Sequence, residues 1–235
     1  MRARSKAKRV AGWSALLILF AGQAIAQDRP SALGRISYGD ALRPGGAICT
    51  GVLVAPDLVL TARHCVEGAR AKPATMRFAA DFSQGQSAAL RRGAEVILPS
   101  EAVTPSRAND VALLRLQTAI DPEVVPPISL APLFLAQGAL STQMPKLSVI
   151  AYRRDAPEQA ERQDDCRLVV ALSGVLALSC PVVSGNSGAP VLLWDGTDWR
   201  VIAVMVAAYS LGQTHSLAAL VPPDLVTRLQ AQTPP

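Results

Sequence analysis

The chain has 235 residues, half of them apolar, and carries 23 Lys and Arg against 18 Asp and Glu, for a formal net charge of +5. Five of those cations (Arg2, Arg4, Lys6, Lys8 and Arg9) fall in the first nine residues, and the other 18 balance the 18 acids. The excess charge is therefore local, which removes any general argument for nucleic acid or an anionic membrane as partner, and the apolar share excludes a disordered chain.

The basic start runs into an apolar stretch, Val10 to Ala26, that holds no acidic residue and ends in Ala24-Ile25-Ala26. A basic segment, an apolar segment and small residues at the end read as a secretory signal peptide over residues 1–26. The run is 17 residues long and broken by Gly12, Ser14, Gly22 and Gln23. That is short for crossing about 30 Å of hydrocarbon. Removing it leaves about 209 residues, enough for one large domain or two small ones. The expected product is secreted or periplasmic, with no membrane contact once the leader is cleaved.

Gln27 to Pro44 is polar and turn-rich, punctuated by Gly39-Asp40 and Pro44-Gly45-Gly46. Short apolar or alternating runs follow at Ala47–Val54, Leu58–Thr61, Thr75–Ala80, Ala88–Leu98 and Val111–Leu116. Most are too short for helices, and their spacing is that of an all-β barrel or sandwich. Thr118 to Pro127, with Asp121-Pro122 and Pro126-Pro127, reads as a linker, which divides the mature chain into units at 27–120 and 121–235. The second unit repeats the rhythm at Lys146–Tyr152, Cys166–Leu172, Val175–Cys180, Pro190–Trp194, Trp199–Ala208 and His215–Val221. Gly174 makes a hairpin of the second and third of these. Asp155 to Asp165 is charged and poor in apolar residues, a solvated surface loop. Pro222 to Leu229 places Pro in the first turn of a short amphipathic helix.

Four cysteines in an exported chain imply two disulfides, with three connectivities open. Pairing neighbours, Cys49 with Cys65 and Cys166 with Cys180, closes two short loops. A zinc site is the competing reading, but it lacks paired C-x-x-C spacing and only two histidines exist.

Opening an amide at neutral pH by a nucleophilic route requires a hydroxyl, a base, a carboxylate to orient the base, and donors for the oxyanion. His64 stands at a strand-to-turn junction in Leu60-Thr61-Ala62-Arg63-His64-Cys65, whereas His215 lies inside a half-apolar run and reads as structural. Asp110 opens the apolar run Val111-Ala112-Leu113-Leu114. A carboxylate there is costly without a partner. An imidazole N–H would satisfy it, although a turn aspartate that only caps the strand fits equally well. Ser187 sits in Ser184-Gly185-Asn186-Ser187-Gly188-Ala189-Pro190, small residues that allow a tight turn with the Gly185 and Ser187 amides converging on one point.

Cys49-Thr50-Gly51-Val52-Leu53-Val54, Leu60-Thr61-Ala62-Arg63-His64-Cys65, Asn109-Asp110-Val111-Ala112-Leu113-Leu114 and Gly185-Asn186-Ser187-Gly188-Ala189-Pro190 together resemble the trypsin/chymotrypsin superfamily of serine peptidases. The blocks occur in that family's order and span roughly Ile36 to Leu229. The resemblance implies an all-β fold of two antiparallel six-stranded β-barrels with a short C-terminal helix. His64 and Asp110 would come from the first barrel and Ser187 from the second. It implies His64 as general base, Asp110 as its orienting acid, Ser187 as nucleophile and the Gly185 and Ser187 amides as the oxyanion hole. It also implies a monomer acting on polypeptide without metal or cofactor.

The chain departs from trypsin at two places and from glutamyl endopeptidases at a third. Asn186 stands where an Asp pairs with the new N-terminus after zymogen cleavage, so Arg35-Ile36, which looks like an activation bond, has no acid to complete the switch. Together with a cysteine seven residues before Ser187, this Asn is closer to the bacterial glutamyl-endopeptidase-like branch. Pro181 replaces the acid with which trypsin selects Arg or Lys, and Met205 takes the place of the histidine that recognises Glu in glutamyl endopeptidases. Val182, Met205, Val206, Ala207 and Ala208 are the expected substrate-binding residues, favouring a small or apolar side chain, with Val206 to Ala208 pairing with substrate backbone. The alternative from another class is a non-catalytic homologue that binds a protein or cell-envelope component in the cleft.

Overall fold

The computed structural model describes residues 30–39, 48–99, 106–131, 147–211 and 213–232. The leader at 1–26 and the turn at Pro44-Gly45-Gly46 lie outside the described residues. Six strands, β1 (Leu33–Tyr38), β2 (Ile48–Ala55), β3 (Leu58–Thr61), β4 (Met76–Ala80), β5 (Ala89–Ile97) and β6 (Ala112–Leu116), close into an antiparallel barrel in the order β1-β2-β3-β6-β5-β4. Its apolar runs fall where the sequence puts them, and β3 matches residue for residue. In β6, Leu113 and Leu114 are both buried although they point to opposite faces. One lines a barrel interior and the other is covered from outside.

The unpredicted strand is β1. Its Arg35 and Ser37 are only 2% and 3% exposed, so two polar residues occupy buried positions and mask the strand pattern. Arg35 lies over the Phe82 ring, 4.2 Å from its centroid, and Nη1 donates to Pro157 O at 3.3 Å. Burial lowers the pKa of its guanidinium, partly offset by Glu158 and Tyr152.

Seven strands build the second unit: β7 (Leu147–Tyr152), β8 (Ala160–Cys166), β9 (Leu168–Leu172), β10 (Val175–Leu178), β11 (Pro190–Trp194), β12 (Trp199–Leu211) and β13 (Gln213–Leu220). They form one sheet ordered β8-β7-β11-β12-β13-β10-β9. This is seven strands where six are expected. The two edge strands are consecutive in the chain, separated by Arg167 alone, so one bent strand carries the chain from one edge of the sheet to the other. The Cys166–Cys180 disulfide and a reciprocal bond pair hold that corner, Arg167 N–H to Ser179 Oγ at 2.9 Å and Ser179 N–H to Arg167 O at 3.0 Å. Most of β8 falls in the segment read as a charged loop. As an edge strand it presents Glu161, Asp164 and Asp165 outward.

The stretch read as a linker is a packed strap. Ile120 and Val125 are buried, and Ile120 N–H donates to Pro56 O at 2.7 Å. One apolar cluster runs from Val52 and Leu114 in the first barrel to Ile150, Leu192 and Val204 in the second, and takes in Leu225, Val226 and Leu229 of the terminal helix (Pro223–Gln232). Truncating such a leucine to Ala costs about 2–5 kcal/mol. The shared core fixes one half of the molecule against the other, as a site built from both requires.

Candidate functional site

A single turn of helix, α1 (Arg63–Val66), follows β3 and carries His64. The next residue, Cys65, is disulfide-bonded to Cys49 on β2, so the turn is fastened to the barrel wall. Asp110 ends the turn Arg107–Asn109 just before β6. It is 8% exposed, and its partner is the histidine: His64 Nδ1 lies 2.7 Å from Asp110 Oδ2, and the His64 backbone N–H donates to Oδ1 at 2.9 Å. A carboxylate only accepts, so the ring proton belongs on Nδ1 and Nε2 is left as the acceptor. The carboxylate therefore fixes both the position and the tautomer of His64.

Ser187 lies in the loop between β10 and β11. A cavity of about 200 Å³ is lined by Ser187, Gly185, Ser184 and Arg154 from the second unit and by His64, Tyr38 and the Cys49–Cys65 pair from the first. The hydroxyl of Ser187 makes no hydrogen bond to His64 or to another described residue; the two side chains share the cavity without touching through a bond. Free sites commonly hold this contact loose until substrate arrives.

Two amides of the loop are turned outward. Ser184 C=O accepts Arg154 N–H at 2.8 Å, and Asn186 C=O accepts Ala189 N–H at 3.0 Å. The N–H of a trans peptide points opposite to its C=O, so the Gly185 and Ser187 amides face away from these partners. Neither donates to a described residue. Gly185 (φ +103°) and Gly188 (φ +83°) hold backbone conformations that L side chains rarely adopt. A Cβ on Gly185 would meet Arg154 N at 2.7 Å, and one on Gly188 would run into Thr50 O and Thr61 Oγ1.

Asn186, 3% exposed, is satisfied by main chain alone: Nδ2 donates to Tyr152 O at 3.0 Å and Oδ1 accepts Val183 N–H at 2.7 Å. The loop therefore has its internal support without a charged N-terminus. Arg35-Ile36 is not placed as an activation bond. Both residues are buried in mid-strand, Arg35 opposite Thr50 and Ile36 opposite Cys49.

The comparisons agree with this architecture. The family model described as a trypsin-like peptidase domain matches residues 49–204, more than half of the chain. The chain belongs to the trypsin-like peptidase family. Similar solved structures include a thermostable serine protease from an extremophilic microorganism, at 17% identity and a TM-score of 0.65, covering 86% of this chain and 96% of that one. A Glu endopeptidase in complex with MPD is similar at 18% identity and a TM-score of 0.67, covering 86% and 91%. A search of curated protein sequences returned no match.

Among the expected pocket residues of this trypsin-like domain, Met205 and Val206 are core, 1% and 3% exposed. The Met205 main chain instead braces the Ser187 loop, accepting Gly188 N–H and donating to Ala189 O, each at 2.8 Å. Val206 is skipped in the β12–β13 register between Met205 and Ala207. Val182 and Ala207 are half-buried and Ala208 is exposed.

Thr50 carries no functional signal in sequence alone. Fully buried, its Oγ1 donates to Gly185 O at 3.1 Å and accepts Tyr152 N–H at 2.9 Å, while its own N–H donates to Ser187 O at 2.8 Å. The block Cys49-Thr50-Gly51 was visible, but nothing local distinguishes this hydroxyl from a strand threonine. Cys49, His64 and Cys65 place ligand-type atoms within 4.8 Å, yet both sulfurs are committed to the disulfide.

Proposed function

We propose that the chain is an exported serine endopeptidase working through Ser187, His64 and Asp110. The observation that carries this reading is the meeting, in one cavity, of a carboxylate-held imidazole, a serine and two unpartnered amides. His64 Nε2 takes the Ser187 proton as Oγ bonds to the peptide carbonyl carbon, and the Gly185 and Ser187 amides hold the oxyanion. His64 then gives that proton to the departing amine as the C–N bond breaks. Water, deprotonated by the same nitrogen, hydrolyses the acyl-enzyme and frees Ser187.

The oxyanion amides stand ready without zymogen cleavage, because Asn186 bonds main chain where a charged pair would otherwise be needed. Two disulfides fit an oxidising compartment. No described helix is long and apolar enough to cross a membrane.

Fluorophosphonate labelling of the purified protein beside Ser187→Ala, with peptide mapping of the adduct, tests the reading. The expected adduct is on Ser187, absent in the variant, and present without prior cleavage near Arg35. A folded wild type that takes no label favours the non-catalytic homologue.

A further inference from the structure

The cavity that holds Ser187 and His64 also holds one uncommitted cation. Arg154 lines it, is exposed, and uses only its backbone N–H, on Ser184 O. The contrast with its neighbours is sharp. Arg153 is bound to Asp155 at 2.6 Å and Glu161 at 3.2 Å, which hold its guanidinium charged. Arg162 is bound to Asp164 at 2.8 Å and Arg200 to Asp195 at 2.7 Å. No described acid pairs with Arg154, and among the described residues no carboxylate lines its cavity.

The remaining described lining is apolar or neutral: Ile36, Tyr38, Ile48, the Cys49–Cys65 disulfide, Ser184 and Gly185. None of it comes from β12, the strand expected to pair with the acyl half of a substrate. His64 must hand its proton to the departing amine, so the chain beyond the broken bond runs past His64 into this space. A carboxylate there would meet a guanidinium that has given up no other partner, beside walls of low polarity that weaken screening.

We infer that this cavity selects an acidic side chain within the first two residues on the leaving-group side of the scissile bond, with Arg154 as the selecting residue. The inference rests on the peptidase reading, deepens it to acidic polypeptide substrates, and is independent of the pocket before the bond.

The test uses matched peptides with Ala before the bond and Glu, Gln or Lys in turn at each of the two positions after it. In the wild type, kcat/KM for the best Glu peptide should exceed its Gln counterpart about five- to twenty-fold at low salt, shrinking as salt rises. Arg154→Gln should bring that ratio to near one, and Arg154→Glu should reverse it towards Lys. A ratio near one in the wild type, or a preference that survives Arg154→Gln, overturns the inference.

Peptide affinity measured in Ser187→Ala reports the same ratio without turnover. If fluorophosphonate fails to label the wild type but Glu peptides still bind Ser187→Ala more tightly, with Arg154→Gln abolishing the difference, the peptidase reading fails and the acidic cleft stands. If labelling succeeds and no acid preference is found, the reverse holds.

Discussion

The first barrel equips the site with a paired imidazole and carboxylate, and the second, Ser187 Oγ and the Arg154 guanidinium apart, equips it with main chain. His64 and Asp110 are held by two hydrogen bonds that depend on residue type, an imidazole against a carboxylate. Gly185, Ser187 and Gly188 instead work through where their peptide planes point, and through two positive φ values that only the absence of Cβ makes easy. On the first barrel, a substitution that keeps the shape but alters the chemistry should do the damage. On the second, at Gly185 and Gly188, the harmful change is one that keeps the chemistry and adds a methyl group.

The largest effect should come from the side chains in the proposed catalytic roles. Ser187→Ala or His64→Ala should lower kcat roughly 10⁴- to 10⁶-fold, and the double variant should lose little more, because the two act as a unit. Thermal melting should stay close to wild type, which calorimetry on the same samples would establish. Full additivity of the two losses would break the assignment.

Gly188→Ala should follow, with a different signature. Its Cβ would run into Thr50 O and Thr61 Oγ1, and neither is the free end of a flexible chain. The loop must move or the strand must yield, at a cost of about 2–4 kcal/mol in stability. Urea midpoints should fall together with the fluorophosphonate labelling rate. A variant that keeps its midpoint and its labelling would show that main-chain placement matters less than argued.

Thr50 joins the two halves, since a first-barrel side chain holds second-barrel main chain. Thr50→Val should reduce kcat about 10- to 100-fold with KM little changed, because it frees the Gly185 carbonyl and leaves Tyr152 N–H without its acceptor. Thr50→Ser keeps the hydroxyl and should recover most of the rate. Equal losses in both variants would make Thr50 a packing residue rather than a positioning one.

The same division explains what the sequence disclosed. His64, Asp110 and Ser187 were legible because their neighbours form recognisable blocks, and β3 and β11 because their apolar runs are short and bounded. Arg35 hid β1, since its guanidinium lies on Phe82, a residue far along the chain and invisible in local pattern. The acids of β8 hid an edge strand for the opposite reason: one face meets water, so charge is tolerated there. Ile120 and Val125 read as linker residues because Pro122, Pro126 and Pro127 stand beside them, and only the fold shows them buried. The roles of Thr50 and Arg154 depend on what lies across the cleft, which no window of sequence contains.

The smallest expected effect lies at the far end of the second sheet, in the β11–β12 turn, where side chain and main chain also cooperate but no site is served. Asp195 accepts the N–H groups of Asp198 at 2.8 Å and Thr197 at 2.9 Å and pairs with Arg200 at 2.7 Å. The Asp198 amide first, then Arg200, then the Thr197 amide lower its pKa from 3.8 to about 2. A folded value below the unfolded one means stabilisation that is complete above about pH 4 and lost as pH falls through about 2. Asp195→Ala should therefore melt slightly below wild type at pH 7, with the gap closing between pH 4 and pH 2 and kcat unchanged throughout. A gap that persists at pH 2 would mean that Asp195 acts by packing rather than by charge. A fall in kcat would mean that this turn transmits strain along β11 to the Ser187 loop, despite the bonds that Thr50, Arg154, Asn186 and Met205 make within and around it.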